Sequence, residues 1–220
     1  MRAPPGTTPP PDLRTSVYID GFNFYYGAVK GTPYKWLDFK RLLGFVLHPR
    51  NRITTIKYFT ALVSGRGDPD QPIRQQTYLN ALQAHIPELS IHYGLFKTTR
   101  VMAYLATPIQ GQQFAEIVKT EEKGSDVNIA VHMLNDAWLD RYDCAVLVSN
   151  DSDLAETLSL IRQQHPAKKI GLIFPRPSGY PVRDLMTKVH FMQRIRRGVL
   201  ANSQLPNPIP GTTIHRPASW

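Results

Sequence analysis

Cysteine is almost absent from this sequence, since Cys144 is the only one among 220 residues. A single cysteine excludes an internal disulfide and any zinc site built from several cysteines. Long apolar runs are also missing, and none approaches the roughly 20 residues that a membrane helix needs. The N-terminus lacks the charged-then-apolar pattern of a signal peptide. These absences predict a soluble, cytoplasmic protein with no membrane partner.

Two functional motifs are missing as well. The sequence has no GxxxxGK loop, so an ATPase with such a phosphate-binding loop is not expected, and its histidines lack the spacing of zinc ligands. Acidic residues are outnumbered, with 17 Asp and Glu against 26 Lys and Arg, which gives a net charge of +9. A basic surface favours a polyanionic partner because each neutralised phosphate releases counterions. The charge becomes informative only if the basic surface surrounds an acidic cleft.

The chain length and the ends of the chain suggest one domain with two tails. A chain of 220 residues with 42% apolar residues fits a single α/β domain, or at most two small ones. Residues 1–14 contain five prolines and few bulky apolar side chains, which predicts a disordered leader. The domain is expected at residues 15–200, and residues 201–220 are predicted to form a Pro-rich C-terminal extension whose Trp220 could dock on it.

Strand and helix patterns alternate between these tails. Strands are predicted at 16–20, 53–63, 89–96, 114–120, 143–149 and 169–174. Helices are predicted at 36–47, 71–85, 125–138, 154–164, 180–188 and 194–200, and residues 97–112 are interpreted as a polar loop. This order is typical of an α/β fold with a parallel sheet and helices on both faces. In such folds, ligands bind beyond the carboxyl ends of the strands.

Aspartates occur at the predicted carboxyl edge in three separate segments. Asp20 ends the apolar run SVYID, Asp126 opens the helix after EEKGS, and Asp151 and Asp153 follow DCAVLVSN. Each alone is explained equally well as a turn or helix cap. Together they predict a site for a hard divalent cation, which takes oxygen ligands and assists phosphodiester hydrolysis. Catalytic and metal-binding roles are therefore assigned to the four aspartates.

The two glutamates that precede Asp126 are interpreted differently from the aspartates. Glu121 and Glu122 are expected to be solvated rather than to bind the metal directly, although one of them could reach a metal through water. For Lys123 two interpretations stay open, because its ammonium could neutralise a substrate phosphate or simply pair with these glutamates.

Substrate contacts are predicted around the same edge. Phe22 and Tyr25 could stack on unpaired bases, although about half of the aromatic residues near Asp20 are expected to pack in the core. Asn23 and Asn150 offer polar contacts. Arg176 and Arg183 could bind phosphates or be ordinary surface charges.

The strings VYIDGFNFYY, EEKGSDVNIAVHML and YDCAVLVSNDSDLAETL, in this order, resemble the NYN domain family, a group of PIN-like nucleases related to the LabA proteins. The resemblance covers roughly residues 16–195. It implies a Rossmann-like PIN-type domain, a Mg²⁺ or Mn²⁺ cofactor and cleavage of RNA. The acidic positions of the family match four residues here, with Asn23 as their usual polar neighbour: Asp20, Asp126, Asp151 and Asp153.

Two further expectations come from this resemblance. Many members have an Asp where this chain has His132, which implies a weakened second metal site. PIN-like domains often pair, so a homodimer formed through residues 97–112 is a possible assembly. The leading interpretation is a metal-dependent endoribonuclease acting on single-stranded RNA, and the alternative is a non-catalytic RNA-binding module. A phosphatase that uses a phosphorylated aspartate is disfavoured, because Phe22 stands where such an enzyme needs a second Asp.

Overall fold

A computed structural model describes residues 12–176 and 178–220. A sheet of six parallel strands runs through the centre of the protein, in the order β3-β2-β1-β6-β7-β8. Two further strands, β4 and β5, pair with each other as an antiparallel hairpin. The strands are β1 (Leu13–Asp20), β2 (Asn51–Thr60), β3 (Leu89–Tyr93), β4 (Leu95–Ile109), β5 (Gln112–Lys123), β6 (Cys144–Val148), β7 (Lys169–Phe174) and β8 (Phe191–Arg194).

Seven α-helices connect or follow these strands in the described residues. They are α1 (Gly21–Phe24), α2 (Phe39–Val46), α3 (Gln71–His85), α4 (Ser125–Trp138), α5 (Ala155–Gln164), α6 (Arg183–Met186) and α7 (Arg197–Asn202). A π-helical turn at Tyr25–Val29 continues α1, and a 3-10 turn at Ser152–Leu154 leads into α5.

The two faces of the sheet support separate apolar cores. Successive side chains of a strand point to opposite faces, so Val17 and Ile19 of β1 join one core while Tyr18 joins the other. The first core includes residues of α2, α3 and α7, and the second includes residues of α4 and α5. Helices therefore cover both faces of a parallel sheet, and the predicted α/β architecture is confirmed.

The order of the strands creates a switch point between β1 and β6. From β1 the chain builds outward through β2 and β3 on one side, and β6, β7 and β8 follow on the other side. Helices that leave β1 and β6 on opposite sides open a crevice beyond the carboxyl ends of these two strands, where α/β proteins bind ligands. The pairing of Ile19 with Val148 places Asp20 and Ser149 side by side at that edge.

The β4–β5 hairpin corrects one prediction. Residues 97–112 were expected to be a polar loop, but most of them belong to β4, a strand of 15 residues. Many side chains of β4 are exposed, including the apolar Met102 and Tyr104, so this strand has no fully buried apolar face to mark it in the sequence. Pairing of two copies of the chain through this region stays a prediction.

Three other elements differ from their predicted extent. The first predicted helix begins only at Phe39, because the Asp38 carboxylate caps it by accepting a hydrogen bond from the Arg41 amide at 3.0 Å. Of the helix predicted at 180–188, only the four residues of α6 are helical. The short edge strand β8 was not predicted, because its sequence has no clear pattern. In contrast, α3 and α4 have the predicted bounds.

The ends of the described chain are joined to the domain. The predicted leader lies mostly outside the described residues, while Leu13 and Arg14 already form the start of β1. At the other end, Leu205 and Ile209 are buried, and the Trp220 ring meets the Trp36 ring edge-on with 5.9 Å between centroids. None of the helices in residues 12–176 and 178–220 combines the length and the apolar character needed to span a bilayer.

Candidate acidic site at the switch point

Asp20 is the most buried carboxylate of the candidate site, with 4% of its surface exposed. Its Oδ1 atom accepts a hydrogen bond from the Asn23 amide at 2.9 Å, which caps α1. Its Oδ2 atom accepts one from the Ser149 hydroxyl at 2.9 Å. Burial raises the pKa of Asp20, while these two hydrogen bonds oppose that shift. Both oxygens are therefore held in fixed positions at the end of β1.

The residue after Asp20 must be glycine for a steric reason. A Cβ atom at Gly21 would lie 2.6 Å from the Phe59 carbonyl oxygen and 2.8 Å from the Tyr58 hydroxyl. This close approach lets the chain turn directly from β1 into α1 and keeps Asp20 at the edge of the sheet.

The loop after β6 is tied to the loop after β1 by side-chain hydrogen bonds. The Ser149 hydroxyl that donates to Asp20 also accepts a hydrogen bond from the Asp151 amide at 3.1 Å. The Asn23 side-chain oxygen accepts one from the Asn150 amide at 3.0 Å. Asn23 and Ser149 therefore fix Asp20 and Asp151 relative to each other, although these residues are far apart in the sequence.

Asp126, in the first turn of α4, faces the same carboxylates. The pKa of Asp126 is raised to about 6, first by burial and then by the negative charges of four neighbouring carboxylates: Asp20, Asp151, Glu122 and Asp153. A neighbouring like charge disfavours the ionised form of a carboxyl group. The aspartates from three segments thus share one electrostatic environment.

These carboxylates are near one another without being drawn into a tight cluster. Within residues 12–176 and 178–220, no three Asp, Glu, His or Cys side chains form a ready-made metal-ligand group. The carboxylates therefore occupy one edge of the sheet without the close spacing of a metal-ligand group. Oxygen donors of this kind suit a hard divalent cation, whose charge would offset the repulsion between them. Asp153 is the outermost acid: its side chain is exposed, and its amide donates to Asp151 Oδ1 at 3.0 Å.

Glu122 belongs to this acidic edge, contrary to the expectation that it is merely solvated. Its charge acts on both Asp20 and Asp126. Its Oε1 atom accepts hydrogen bonds from the Ser125 amide at 3.2 Å and the Ser125 hydroxyl at 2.8 Å. It also occupies the space that a Cβ atom at Gly94 would need. The spacing Glu-x-x-Ser at a helix start was the available sequence signal.

Lys123 shows one of its two predicted contacts. Its ammonium lies 3.2 Å from Glu121 Oε2, and Lys119 pairs with the same carboxylate at 2.6 Å. The pairing with glutamate is therefore observed, on an exposed part of β5. The hydrogen bonds of these lysines lower the pKa of Glu121.

The aromatic residues after Asp20 divide between the acidic edge and a neighbouring cavity. Phe22 is half-buried and meets Phe96 edge-on at 5.5 Å between centroids. Tyr25 is also half-buried and meets Tyr26 edge-on at 5.3 Å. Phe22 and Tyr25 were expected to be the more exposed of these rings, but Tyr26 is the most exposed, at 62%. The helical turn directs Tyr26 outward.

The two arginines and Asn150 lie on the β7 side of the crevice. Arg176 is exposed just beyond β7, and its side chain would contact a Cβ atom placed on Gly27. Arg183 is exposed at the start of α6. The Asn150 side-chain oxygen accepts a hydrogen bond from the Val182 amide at 2.9 Å, so Asn150 anchors the segment before Arg183. The structure thus gives Asn150 a positioning contact, and leaves both guanidinium groups accessible to solvent.

His132 lies deeper along α4, in a separate polar network. Its Nδ1 atom is 3.2 Å from the Lys57 ammonium, and that ammonium pairs with Asp136 at 2.5 Å. Asp136 also accepts a hydrogen bond from the Tyr18 hydroxyl at 2.7 Å. This network joins α4 to β1 and β2.

Comparisons with known proteins agree with this architecture. The family model of the NYN domain matches residues 14–192. The chain is 36% identical, over an alignment of 238 residues, to the 6-hydroxy-3-succinoylpyridine 3-monooxygenase HspA of Pseudomonas putida (strain DSM 28022 / S16), covering 94% of this chain and 75% of that protein.

A solved structure shares the fold at low sequence identity. A protein of unknown function, VPA0982 from Vibrio parahaemolyticus RIMD 2210633, aligns with a TM-score of 0.54 and 16% identity, over 87% of this chain and 98% of that one. The single-domain, PIN-type α/β fold is therefore shown both by the strand order and by the family. Because the family model spans most of the chain and a relative is 36% identical over nearly all of it, this protein belongs to the NYN domain family.

Proposed function

We propose that this protein is a divalent-metal-dependent endoribonuclease that cleaves single-stranded RNA at the switch point. The observation that carries the proposal is the placement of aspartates from three chain segments at the carboxyl edge of the sheet, where burial and then the charges of neighbouring carboxylates raise the pKa of Asp126 to about 6. An acidic edge of this kind on a chain of net charge +9 suits a site that holds a cation while the surrounding surface attracts a polyanion.

Three carboxylates are assigned to the cation, which would be Mg²⁺ or Mn²⁺. Asp20, Asp126 and Asp151 offer oxygen atoms from β1, α4 and the loop after β6. When bound there, the ion would supply an activated water and would stabilise charge on the leaving oxygen. Asp153, as the outermost acid, would bind through water or complete a second position.

The other residues of the site would position the acids and the RNA. Ser149 and Asn23 hold the two loops together through the hydrogen bonds described above. Phe22 and Tyr25 would stack on unpaired bases, and the exposed Arg176 and Arg183 would bind backbone phosphates. Lys123 is a weaker phosphate ligand in this scheme, because Glu121 already neutralises it.

The proposal is tested with a short labelled single-stranded RNA. The protein should cleave it with Mn²⁺ or Mg²⁺ and not with EDTA. Asp151→Asn and Asp126→Asn should each lower the rate by at least about a hundredfold, since they remove charges that act only through the metal and the reacting phosphate. Asp184→Asn is the matched control, because Asp184 is an exposed acid in the first turn of α6, outside the acidic edge.

The outcomes separate the competing functions. RNA binding without cleavage in any divalent metal would favour the non-catalytic RNA-binding module. Cleavage that survives in Asp151→Asn and Asp126→Asn would contradict the assigned site. The same assay with single-stranded DNA measures the preference for ribose.

The relative with 36% identity supports a second candidate function. That protein's name describes a monooxygenase of 6-hydroxy-3-succinoylpyridine, and the corresponding proposal is oxidation of a small hydroxylated pyridine. The test adds this pyridine, O₂ and a reduced nicotinamide as electron donor to the purified protein. Substrate-dependent O₂ consumption with formation of a hydroxylated product would support this candidate, and its absence would count against it.

A further inference from the structure

An aromatic cavity lies directly beside the acidic edge. Its volume is about 360 Å³, which falls in the range of small-molecule sites. Gly21 and Phe22, the two residues after Asp20, form one wall, and the C-terminal Trp220 lies in another. The charge of Asp20 also contributes to the raised pKa of Tyr58, after burial as the main cause, so the cavity floor is electrostatically close to the acidic edge.

Rings from five parts of the chain line the cavity, and four of them form two contacting pairs. The Phe39 and Tyr58 rings are 5.3 Å apart between centroids, and the Tyr78 and Trp220 rings are 5.4 Å apart. Tyr25 adds a half-buried ring from the π-helical turn. A cavity walled by aromatic faces and edges favours a flat aromatic ligand, because stacked and edge-on pairs of rings attract each other beyond simple burial.

Polar groups in the cavity walls are available to a ligand. Tyr58 is only 7% exposed, and its hydroxyl makes no hydrogen bond within the described part of the chain. The Trp220 indole Nε1 is buried and likewise has no hydrogen-bond partner among the described residues. The Tyr58 hydroxyl is therefore the donor that this wall offers to a ligand, because the Trp220 Nε1 atom is enclosed by the protein.

The charges of the cavity wall select for an anionic group. Lys35 and Arg74 both line it, and Asp68 is the acid that lines it with them. Arg74 pairs with Asp68, whose side chain is 48% exposed, while Lys35 has no ion pair in the described chain. Among the side chains that line the cavity, Arg74 is therefore paired and Lys35 supplies an unpaired positive charge, while the planar guanidinium of Arg74 keeps further N–H donors that suit a carboxylate or a phosphate.

We propose that this cavity binds a flat heteroaromatic ring that carries an anionic substituent. The ring would stack among Tyr25, Tyr58 and Trp220, and the anion would reach Arg74 and Lys35. This chemistry has two possible sources, a nucleotide of an RNA strand or a free heteroaromatic acid. The binding deepens the proposed function, because a ring held here would lie next to the assigned carboxylates.

The experiment measures binding by isothermal titration calorimetry on the full chain, in EDTA so that no metal contributes. The probes are uridine 5′-monophosphate and 6-hydroxynicotinate. Two further probes test the parts of the ligand separately. The first, 2-hydroxypyridine, has the ring without the anion, and the second, succinate, has the anion without the ring. Both ring-plus-anion probes should bind saturably, and each part alone should bind at least about tenfold more weakly.

Variants locate the binding in the cavity. Arg74→Gln should weaken the binding of the ring-plus-anion probes about tenfold, and Tyr58→Phe should weaken it severalfold while keeping the ring. Arg66→Gln is the matched control. Arg66 is an exposed arginine in the segment before α3, and it does not line the cavity. Thermal unfolding of each variant identifies any loss that is due to misfolding.

The two sources give different results with the same protein. If a nucleotide is the natural ligand, uridine 5′-monophosphate binds at least about tenfold more tightly than 6-hydroxynicotinate, and Arg74→Gln also weakens binding of a short RNA. If a free heteroaromatic acid is the ligand, the order of the two probes is reversed and RNA binding is unchanged by Arg74→Gln. Both results support the cavity as a site for this chemistry.

The inference is overturned if neither ring-plus-anion probe binds at about 1 mM, or if binding is indifferent to both Arg74→Gln and Tyr58→Phe. The cleavage assay on the unchanged protein separates this result from the nuclease proposal. If the unchanged protein binds the probes but cleaves no RNA with any divalent metal, the cavity stays assigned and only the nuclease is rejected.

Discussion

A buried carboxylate at a functional edge depends on each hydrogen bond that it receives. Asp20 is nearly removed from solvent, and its two side-chain oxygens each accept one hydrogen bond from a neighbouring loop residue. Ser149 is the shared partner, because its hydroxyl serves both Asp20 and the amide of Asp151. Sequence analysis identified the acids themselves but not the serine that positions them.

Removal of the Ser149 hydroxyl should therefore affect both folding and the site. We expect Ser149→Ala to lower the free energy of unfolding by about 1–3 kcal/mol at pH 7, the cost of leaving a buried polar group without its partner. Urea denaturation followed by circular dichroism measures this change. The matched control is Ser152→Ala, since Ser152 is exposed. Equal stability of the two variants would show that Ser149 does not support Asp20.

At the scale of elements, α4 is fixed to the sheet by a buried ion pair. Asp136 is 1% exposed and accepts hydrogen bonds from Tyr18 of β1 and Lys57 of β2. Burial tends to raise the pKa of Asp136, but these hydrogen bonds and the charge of Lys57 hold the pKa below its usual value. The network sets the position of α4, whose first turn carries Asp126.

Breaking this ion pair on one side should be more harmful than replacing both partners. Asp136→Asn should destabilise the protein by about 3–5 kcal/mol, because the Lys57 ammonium stays buried without its counter-charge. The double variant Lys57→Met, Asp136→Leu should recover much of that loss. Urea denaturation of the single and double variants measures both effects. A double variant that is no more stable than Asp136→Asn would contradict this view of the pair.

The contact between β3 and α4 should make stability depend on pH. Burial, followed by the charges of His132 and Lys57, lowers the pKa of His92 to about 4, while Asp136 opposes the shift. The His92 ring stacks on Phe59 at 5.0 Å and meets His132 at 4.2 Å between centroids. Because the unfolded chain binds the proton at higher pH than the folded chain does, protonation favours unfolding.

His92 should therefore cost stability as the pH falls from about 6.5 towards about 4, by on the order of 1–2 kcal/mol in total because solvent screens this partly exposed ring, and none of this cost applies above about pH 7. His92→Phe should remove this part of the pH dependence. Urea denaturation across the pH range, compared with His215→Gln at an exposed position, isolates the effect from the titrating carboxylates. Parallel pH profiles for the His92→Phe variant and the unchanged protein would refute the assignment.

At the scale of the whole molecule, the C-terminal segment packs against the first core and forms part of the wall of the cavity. Ile209 is 1% exposed within the first core, and Trp220 contacts both Trp36 and Tyr78. The Trp36 indole also donates a hydrogen bond to the Pro206 carbonyl at 3.2 Å. The segment predicted to be an extension is thus part of the packed structure.

Truncation of Ile209 tests how much this segment contributes. We expect Ile209→Ala to destabilise the protein by about 2–5 kcal/mol, as for other large apolar side chains removed from a core. Ile73→Ala is the control at a position with 66% exposure and should change stability by less than about 0.5 kcal/mol. The free energy of unfolding in urea measures both. A small effect for Ile209→Ala would mean that the segment folds independently of the core.

Local patterns in the sequence were enough to determine the central α/β domain and its acids. Helical spacing of apolar residues marked α4, Pro72 marked the first turn of α3, and apolar runs marked β1, β6 and β7, which lie in the middle of the parallel sheet. The glycine and the acids that follow such runs predicted the edge where Asp20 and Asp151 lie. The NYN family resemblance rested on the same strings.

Only the tertiary structure decided which groups act together. The strand predicted at 114–120 lies within β5, but most of β4 and all of β8 bury too little surface to leave a pattern, so they were not predicted. Glu122, Ser149 and the aromatic cavity depend on contacts between segments far apart in the sequence, and the energy of such contacts is set by distance and burial in space. A sequence specifies the chemistry that each residue carries, whereas packing determines the environment in which that chemistry operates.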